Sequence, residues 1–296
     1  MSEPKSPSNL PRVIDVHTHL FPEAVVVDRR RHLERDAWFG ELYAPASTVL
    51  LTPGEFLRSM DDAGIERSIV CGWPWRDPGL CREHNDAMAA VAKAHPGRIS
   101  WLAIVNPAAP GADIELARAV SLGAIGVGEL NADAQGFLWE VPATLGATVE
   151  AACDLCVPFL LHSSEPVGHH YPGKGTATPA KLLAFFAAYP ELRVVAAHWG
   201  GGLPFHELMP EIADICRNVV YDTAASTYLY RWNVFPAAEQ MIGAGKILFG
   251  TDFPLLKQKP FLRKTISSGL SSTSLQSVLA DNASAFFNLP PAGSTP

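Results

Sequence analysis

Two histidines, His17 and His19, stand in the stretch Asp15-Val16-His17-Thr18-His19, directly after the apolar pair Val13-Ile14. On a β-strand, positions i and i+2 point to the same face, so one short segment can offer two imidazoles to one metal ion. Three more residues of ligating type close other short apolar runs. His162 follows Val157-Pro158-Phe159-Leu160-Leu161, His198 follows Val194-Val195-Ala196-Ala197, and Asp252 follows Ile247-Leu248-Phe249-Gly250-Thr251. Neutral imidazoles and a carboxylate suit a divalent ion such as zinc, manganese, iron, cobalt or nickel. Such an ion lowers the pKa of its water toward ~7, and Asp252 is placed to be both a ligand and the base that takes the proton. A lone histidine at a strand end is usually a hydrogen-bonded core or surface residue. Recurrence at the ends of separate runs is what points to a metal site.

Something must bring those run ends together. Eight candidate strands fall at residues 13–17, 67–71, 99–105, 124–129, 157–162, 193–198, 218–221 and 246–251. Helix-compatible stretches separate them at 54–63, 80–94, 112–121, 142–155, 177–188, 203–215 and 233–243, and a segment at about 259–287 supplies the last helices. Many of the strands are continuous Val/Ile/Leu/Ala runs, the mark of strands covered on both faces. Eight βα units predict an α/β fold of the closed (β/α)8 barrel type, whose chemistry gathers at the C-terminal ends of the strands. An open doubly wound sheet would carry a glycine-rich loop after its first strand, where this chain has His17-Thr18-His19. Two long segments follow strands on the same rim, 20–53 and 163–176; the first is expected to act as a lid or a dimer contact.

With 296 residues, 48% of them hydrophobic, the chain can bury one large barrel core, so residues 1–296 are expected to form one domain. A formal charge of −7 disfavours a broad nucleic-acid footprint. Five scattered cysteines do not form a disulfide framework. Cys153 and Cys156 have C-x-x-C spacing without a second pair, and packing in the core is expected of them. Residues 1–11 are polar, lack the apolar stretch of a secretory signal and are expected to be a disordered tail. No apolar run approaches the ~18 residues of a membrane span. The expectation is a cytoplasmic protein that handles a small molecule, with neither nucleic acid nor membrane as partner.

The chain resembles the amidohydrolase superfamily, specifically the amidohydrolase 2 group that contains aminocarboxymuconate-semialdehyde decarboxylase. The resemblance rests on Asp15-Val16-His17-Thr18-His19-Leu20, His162, His198-Trp199-Gly200-Gly201, Gly250-Thr251-Asp252-Phe253-Pro254 and Asp281-Asn282-Ala283, and runs from residue 13 to about 289. It implies a (β/α)8 barrel in which His17, His19, His162 and Asp252 hold a single metal. His198 would act on substrate or water, or bind a second ion. It also implies a homodimer. Glu129, in Gly126-Val127-Gly128-Glu129-Leu130-Asn131, lies where two-metal members carry a bridging acid, so a metal contact and a site for one or two ions are expected. Zinc is taken first, manganese or iron as alternatives.

Around the rim, Trp73, Arg76, His170 and Trp199 are candidate substrate contacts, Arg76 as a carboxylate clamp. Asp222 is expected to orient a histidine from behind. Arg29-Arg30-Arg31 is expected to be a solvated helix face. The leading expectation is a metal-dependent hydrolase of an amide, lactone or ester, with Asp252 and His198 as its catalytic residues. The alternative is a lyase, a metal-dependent non-oxidative decarboxylase of an aromatic or muconate-type acid. An inert barrel used as a scaffold is disfavoured, because none of the expected ligand positions is substituted.

Overall fold

A computed structural model describes residues 12–290; the expected 1–11 tail lies outside the described residues. Eight parallel strands follow in order: β1 Ile14–His19, β2 Arg67–Cys71, β3 Ile99–Trp101, β4 Val127–Leu130, β5 Phe159–Leu161, β6 Val194–Ala196, β7 Val219–Asp222 and β8 Ile247–Leu248. They pair as β1-β2-β3 and as β4-β5-β6-β7-β8. Single bridges join the two groups at both seams, Ala103 with Val127 and Thr18 with Phe253. Gly128 N–H donates to Ala103 O (2.8 Å) at one seam, and His19 N–H to Phe253 O (2.7 Å) at the other. The cylinder is therefore closed, as the repeated βα rhythm predicts.

Ile14, Val16, Ile69, Leu102, Leu160, Val195 and Leu248 form one fully buried cluster inside it. Asp15, between Ile14 and Val16, faces the other way and accepts from Thr251 Oγ1 (2.7 Å) and from Gln258 Nε2 (2.9 Å) on the helix Gln258–Ile266. Unbroken alternation would send His17 to that outer side too. It does not, because β1 carries one extra residue. Asp15 pairs with Ser68 and Thr18 with Val70, three steps on β1 against two on β2. The same count recurs in β4, where Val127 pairs with Phe159 and Leu130 with Leu161. Each bulge re-aims one side chain, His17 in β1 and Glu129 in β4.

The segment after β1 folds into three short helices, Glu23–Val27, Arg29–Arg35 and Ala37–Tyr43. Aromatic packing pins it to the rim: Phe39 stacks on Tyr43 (4.6 Å), and Tyr43 meets Trp73 edge to face (5.0 Å). The stretch 203–215 breaks into Leu203–His206 and Pro210–Ile215, because Pro210 lacks the N–H to continue a helix. Cys153 and Cys156 are exposed, not in the core. The helix Gly146–Asp154 ends there in a left-handed Cys156 (φ 56°), with Cys156 N–H on Cys153 O and Val157 N–H on Ala152 O, a capping pattern that turns both thiols outward. Among the described residues, no helix is long and apolar enough to cross a membrane.

His84, fully buried, gives the fold a pH dependence of its own. Trp75 Nε1–H donates to its Nδ1 (3.1 Å), and its Nε2 has no partner. Burial, with a smaller push from His19, brings the ring down to about 3. The unfolded chain takes up a proton near pH 6.5 that the fold refuses, so stability falls as pH drops through that value. From about pH 7.5 to pH 5 the loss from this ring is ~2 kcal/mol. His84→Gln keeps an acceptor for Trp75 and removes the titration. Urea midpoints of the variant are expected to fall less over this range than those of the parent chain; parallel falls would refute the assignment.

Candidate active site

Six side chains converge at the C-terminal end of the cylinder, all buried: His17 and His19 on β1, Glu129 on β4, His162 after β5, His198 after β6 and Asp252 after β8. The Nε2 atoms of His17 and His19 lie 3.3 Å apart. Glu129 Oε2 is 3.4 Å from His17 Nε2 and 3.5 Å from His19 Nε2. Its other oxygen, Oε1, is 3.0 Å from His162 Nδ1 and 3.4 Å from His198 Nε2. Asp252 Oδ1 lies 3.4 Å from His19 Nε2. Three overlapping trios offer ligand atoms within 4.8 Å of one another: His17–His198–Asp252, His17–His19–Glu129 and Glu129–His162–His198.

The protons on two of these rings are committed elsewhere. His17 Nδ1–H donates to Asp222 Oδ2 (2.8 Å), so its Nε2 presents a lone pair to Glu129 and His19. Asp222 is fully buried, and its Oδ1 accepts from His198 N–H (2.9 Å) and Ala224 N–H (3.0 Å). Behind His162, Nε2–H donates to the Lys174 carbonyl (3.1 Å), leaving the Nδ1 lone pair turned to Glu129. Lone pairs and carboxylate oxygens aimed at a common centre repel unless a positive charge sits between them. This donor set fits a divalent cation, with Asp222 as the outer carboxylate that fixes a ligand's tautomer.

Proton affinities follow the same field. A proton competes with a cation for the His17 lone pair: burial pushes the ring down, but Asp222 outweighs it and holds it well above its usual value. Burial likewise opposes the charge on His198, and Glu129 raises that ring to about 9. For the acids the balance reverses. Burial would raise Glu129, yet His17, His162 and His198 keep it well below the carboxylate range. Asp252 is brought to about 2 against burial by the His19 hydrogen bond and the other imidazoles.

Backbone strain is concentrated here. His198 (φ 57°), Trp199 (φ 59°) and Asp252 (φ 65°) all occupy the left-handed region, and Gly200, Gly201 and Gly202 continue the turn. Gly201 is required, since a Cβ there would stand 2.4 Å from Ser164 O.

A cavity of about 460 Å³ opens above the cluster. His19, Glu129, His162, His198 and Asp252 form its floor, and Trp73 is in its wall as expected. Three other candidates are not in the lining. Arg76 is exposed and lies against Gly136, with its backbone N–H on Asp36. His170 is exposed, and the neighbouring His169 lines the cavity instead. Trp199 is turned away by the left-handed turn and is fully buried against Phe235 (5.1 Å), donating to Ser226 Oγ (2.8 Å). The wall also carries Trp38 from the rim insertion and Tyr171, together with Tyr43 and Tyr228, which were not singled out from the sequence. Their only signal was aromatic density in segments adjoining strand ends.

A family described as amidohydrolase matches residues 14–289 of the chain. No curated protein sequence matches it. Among solved structures, the chain is similar to 5-carboxyvanillate decarboxylase from Sphingomonas paucimobilis, with 17% identity over 95% of this chain and 100% of that one, at a TM-score of 0.79. It is also similar to 2,6-dihydroxybenzoate decarboxylase from Rhizobium (22% identity, 95% of this chain, 99% of that one, TM-score 0.74). A dihydroxybenzoic acid decarboxylase from a Polaromonas species, solved with bound manganese and the inhibitor 2-nitroresorcinol, gives 21% identity over 95% of this chain and 98% of that one, at a TM-score of 0.75. At these identities the likeness is one of fold.

Proposed function

Because this chain belongs to the amidohydrolase family, we propose that it is a metal-dependent lyase that releases carbon dioxide from an aromatic acid without an oxidant. The observation that carries this reading is the aromatic cavity set directly on the cluster, with Trp38, Tyr43, Trp73, Tyr171 and Tyr228 in its walls. Three solved structures of similar fold are decarboxylases of aromatic acids, which supports the same choice. The order of the two readings is thus the reverse of the one the sequence suggested.

In this reading His17, His19, Glu129, His162 and Asp252 hold a divalent cation, with His198 beside it. Manganese stands alongside zinc, since one of the similar structures holds it. The cation, when bound, draws electron density from a substrate oxygen. The aromatic walls hold the ring flat and keep water off the carboxylate. When the ring-to-carboxyl bond breaks, carbon dioxide leaves and its electron pair stays on the ring carbon. A proton must then reach that carbon. Asp252 and His198, at the floor, are the groups placed to carry it. The reading includes a homodimer in contact through 20–53, one domain and a cytoplasmic location.

Hydrolysis of a lactone, ester or amide is the second reading. The two oxygens of Glu129 favour it, because one faces His17 and His19 and the other His162 and His198. That division would suit two cations, one held by His17 and His19 and one by His162 and His198, which would supply activation of water. Protein reconstituted with manganese or zinc and given 2,6-dihydroxybenzoate is expected to release carbon dioxide. Acid release from a lactone and ester panel, with no carbon dioxide from hydroxybenzoates, would overturn the lyase reading in favour of hydrolysis.

A further inference from the structure

The floor and walls of the cavity differ in charge. Five of the six cluster residues, His19, Glu129, His162, His198 and Asp252, lie in the floor, while Trp38, Tyr43, Trp73, Tyr171 and Leu255 are among the wall residues. Among the described residues, no lysine or arginine lines the cavity. The cations that come near are occupied. Lys174 Nζ donates to the carbonyls of Val167 (2.8 Å) and His169 (3.2 Å). Arg29 donates to those of Pro45 (3.4 Å) and Thr48 (2.9 Å). Behind the wall stands an acid: Tyr171 Oη–H donates to Glu165 Oε2 (3.3 Å), and Glu165 Oε1 is buried without a partner. Apart from the imidazole of His169, which also lines the cavity, a substrate carboxylate can therefore meet positive charge only at the floor. A second one, pressed against the walls, would lose its water, find no lysine or arginine, and lie on the side where Glu165 stands behind Tyr171.

We propose that this cavity selects flat aromatic acids that bear a single carboxylate and otherwise uncharged substituents, and turns away aromatic dicarboxylates. The selection rests on the reading that the floor holds a cation which receives the one carboxylate. It follows from the walls whichever bond is then broken.

The test is calorimetric titration of the manganese-loaded protein with 2,6-dihydroxybenzoate, a monocarboxylate, and with 5-carboxyvanillate, a dicarboxylate. The monocarboxylate is expected to bind tighter by about tenfold or more. Two variants probe the cause. Leu255→Arg places a cation at an exposed wall position (58% exposed), and Glu165→Gln removes the acid behind Tyr171. Each is expected to narrow the gap by strengthening dicarboxylate binding. Equal or tighter binding of the dicarboxylate to the parent protein, binding of neither compound, or a gap that neither variant narrows would overturn the proposal. Discrimination in binding without any release of carbon dioxide would leave it standing and count against the lyase reading alone. Release from the dicarboxylate would do the reverse.

Discussion

Asp252→Asn is expected to lower kcat by about 10³-fold or more while the protein stays folded. The backbone at Asp252 is unusual but suits the replacement. Its φ of 65° is in the region where asparagine is the best tolerated residue after glycine. Its N–H donates to His17 O (2.9 Å), which the substitution leaves intact. Thr251, just before it, is tied to Asp15 by two hydrogen bonds, of 3.0 and 2.7 Å. What the variant loses is the negative charge 3.4 Å from His19 Nε2, and with it, under the proposed function, a cation ligand and a proton carrier. Turnover, metal content and thermal melting should be read together. A normal melt with reduced metal content and almost no turnover is the expected result. Wild-type turnover would remove Asp252 from the chemistry.

Glu129→Gln carries the second large effect and separates the two readings: on the two-cation, hydrolytic reading metal content falls from about two ions per chain to about one. Glutamine keeps one oxygen but turns the other into an amide nitrogen, which donates protons and cannot bind a cation. Either His17 and His19 or His162 and His198 then lose their shared oxygen. The variant also leaves the backbone undisturbed, which matters because Gly128 is tightly enclosed: a Cβ there would stand 2.3 Å from Leu160 O. Elemental analysis after reconstitution gives the count, and coupling between two manganese ions in the parent protein, seen by electron paramagnetic resonance, gives an independent check. One ion per chain in both proteins would sink the bridging role and weaken the hydrolytic reading with it.

The clustering of the histidines and Asp252 was legible in the sequence because each closes an apolar run, and in a parallel barrel those ends share one rim. The wall of the cavity was not legible. Arg76, His170 and Trp199 sit in loops, where no periodicity says which way a side chain points. At Trp199 the left-handed turn 198–202 reverses the direction that a continuing strand would give. Strand lengths were overestimated for a related reason. The apolar run 99–105 pairs as a strand only over Ile99–Trp101, and its continuation touches β4 through the single Ala103–Val127 bridge. The helix expected at 203–215 contained its own breaker, Pro210. The missing second pair and the buried strand that follows marked Cys153 and Cys156 as interior, whereas the cap at Cys156 decides their exposure.

The irregular residues in β1 and β4 also bear on attempts to make the protein hardier. Trimming one residue from each would restore even ladders and should favour the cylinder as a scaffold. The same edit would shift the pairing frame and swing His17 and Glu129 toward the helices, stripping the cluster of two of its six polar side chains. Heat resistance and chemistry therefore pull in opposite directions at these two positions, and a design campaign scored on melting temperature alone would tend to erase the enzyme.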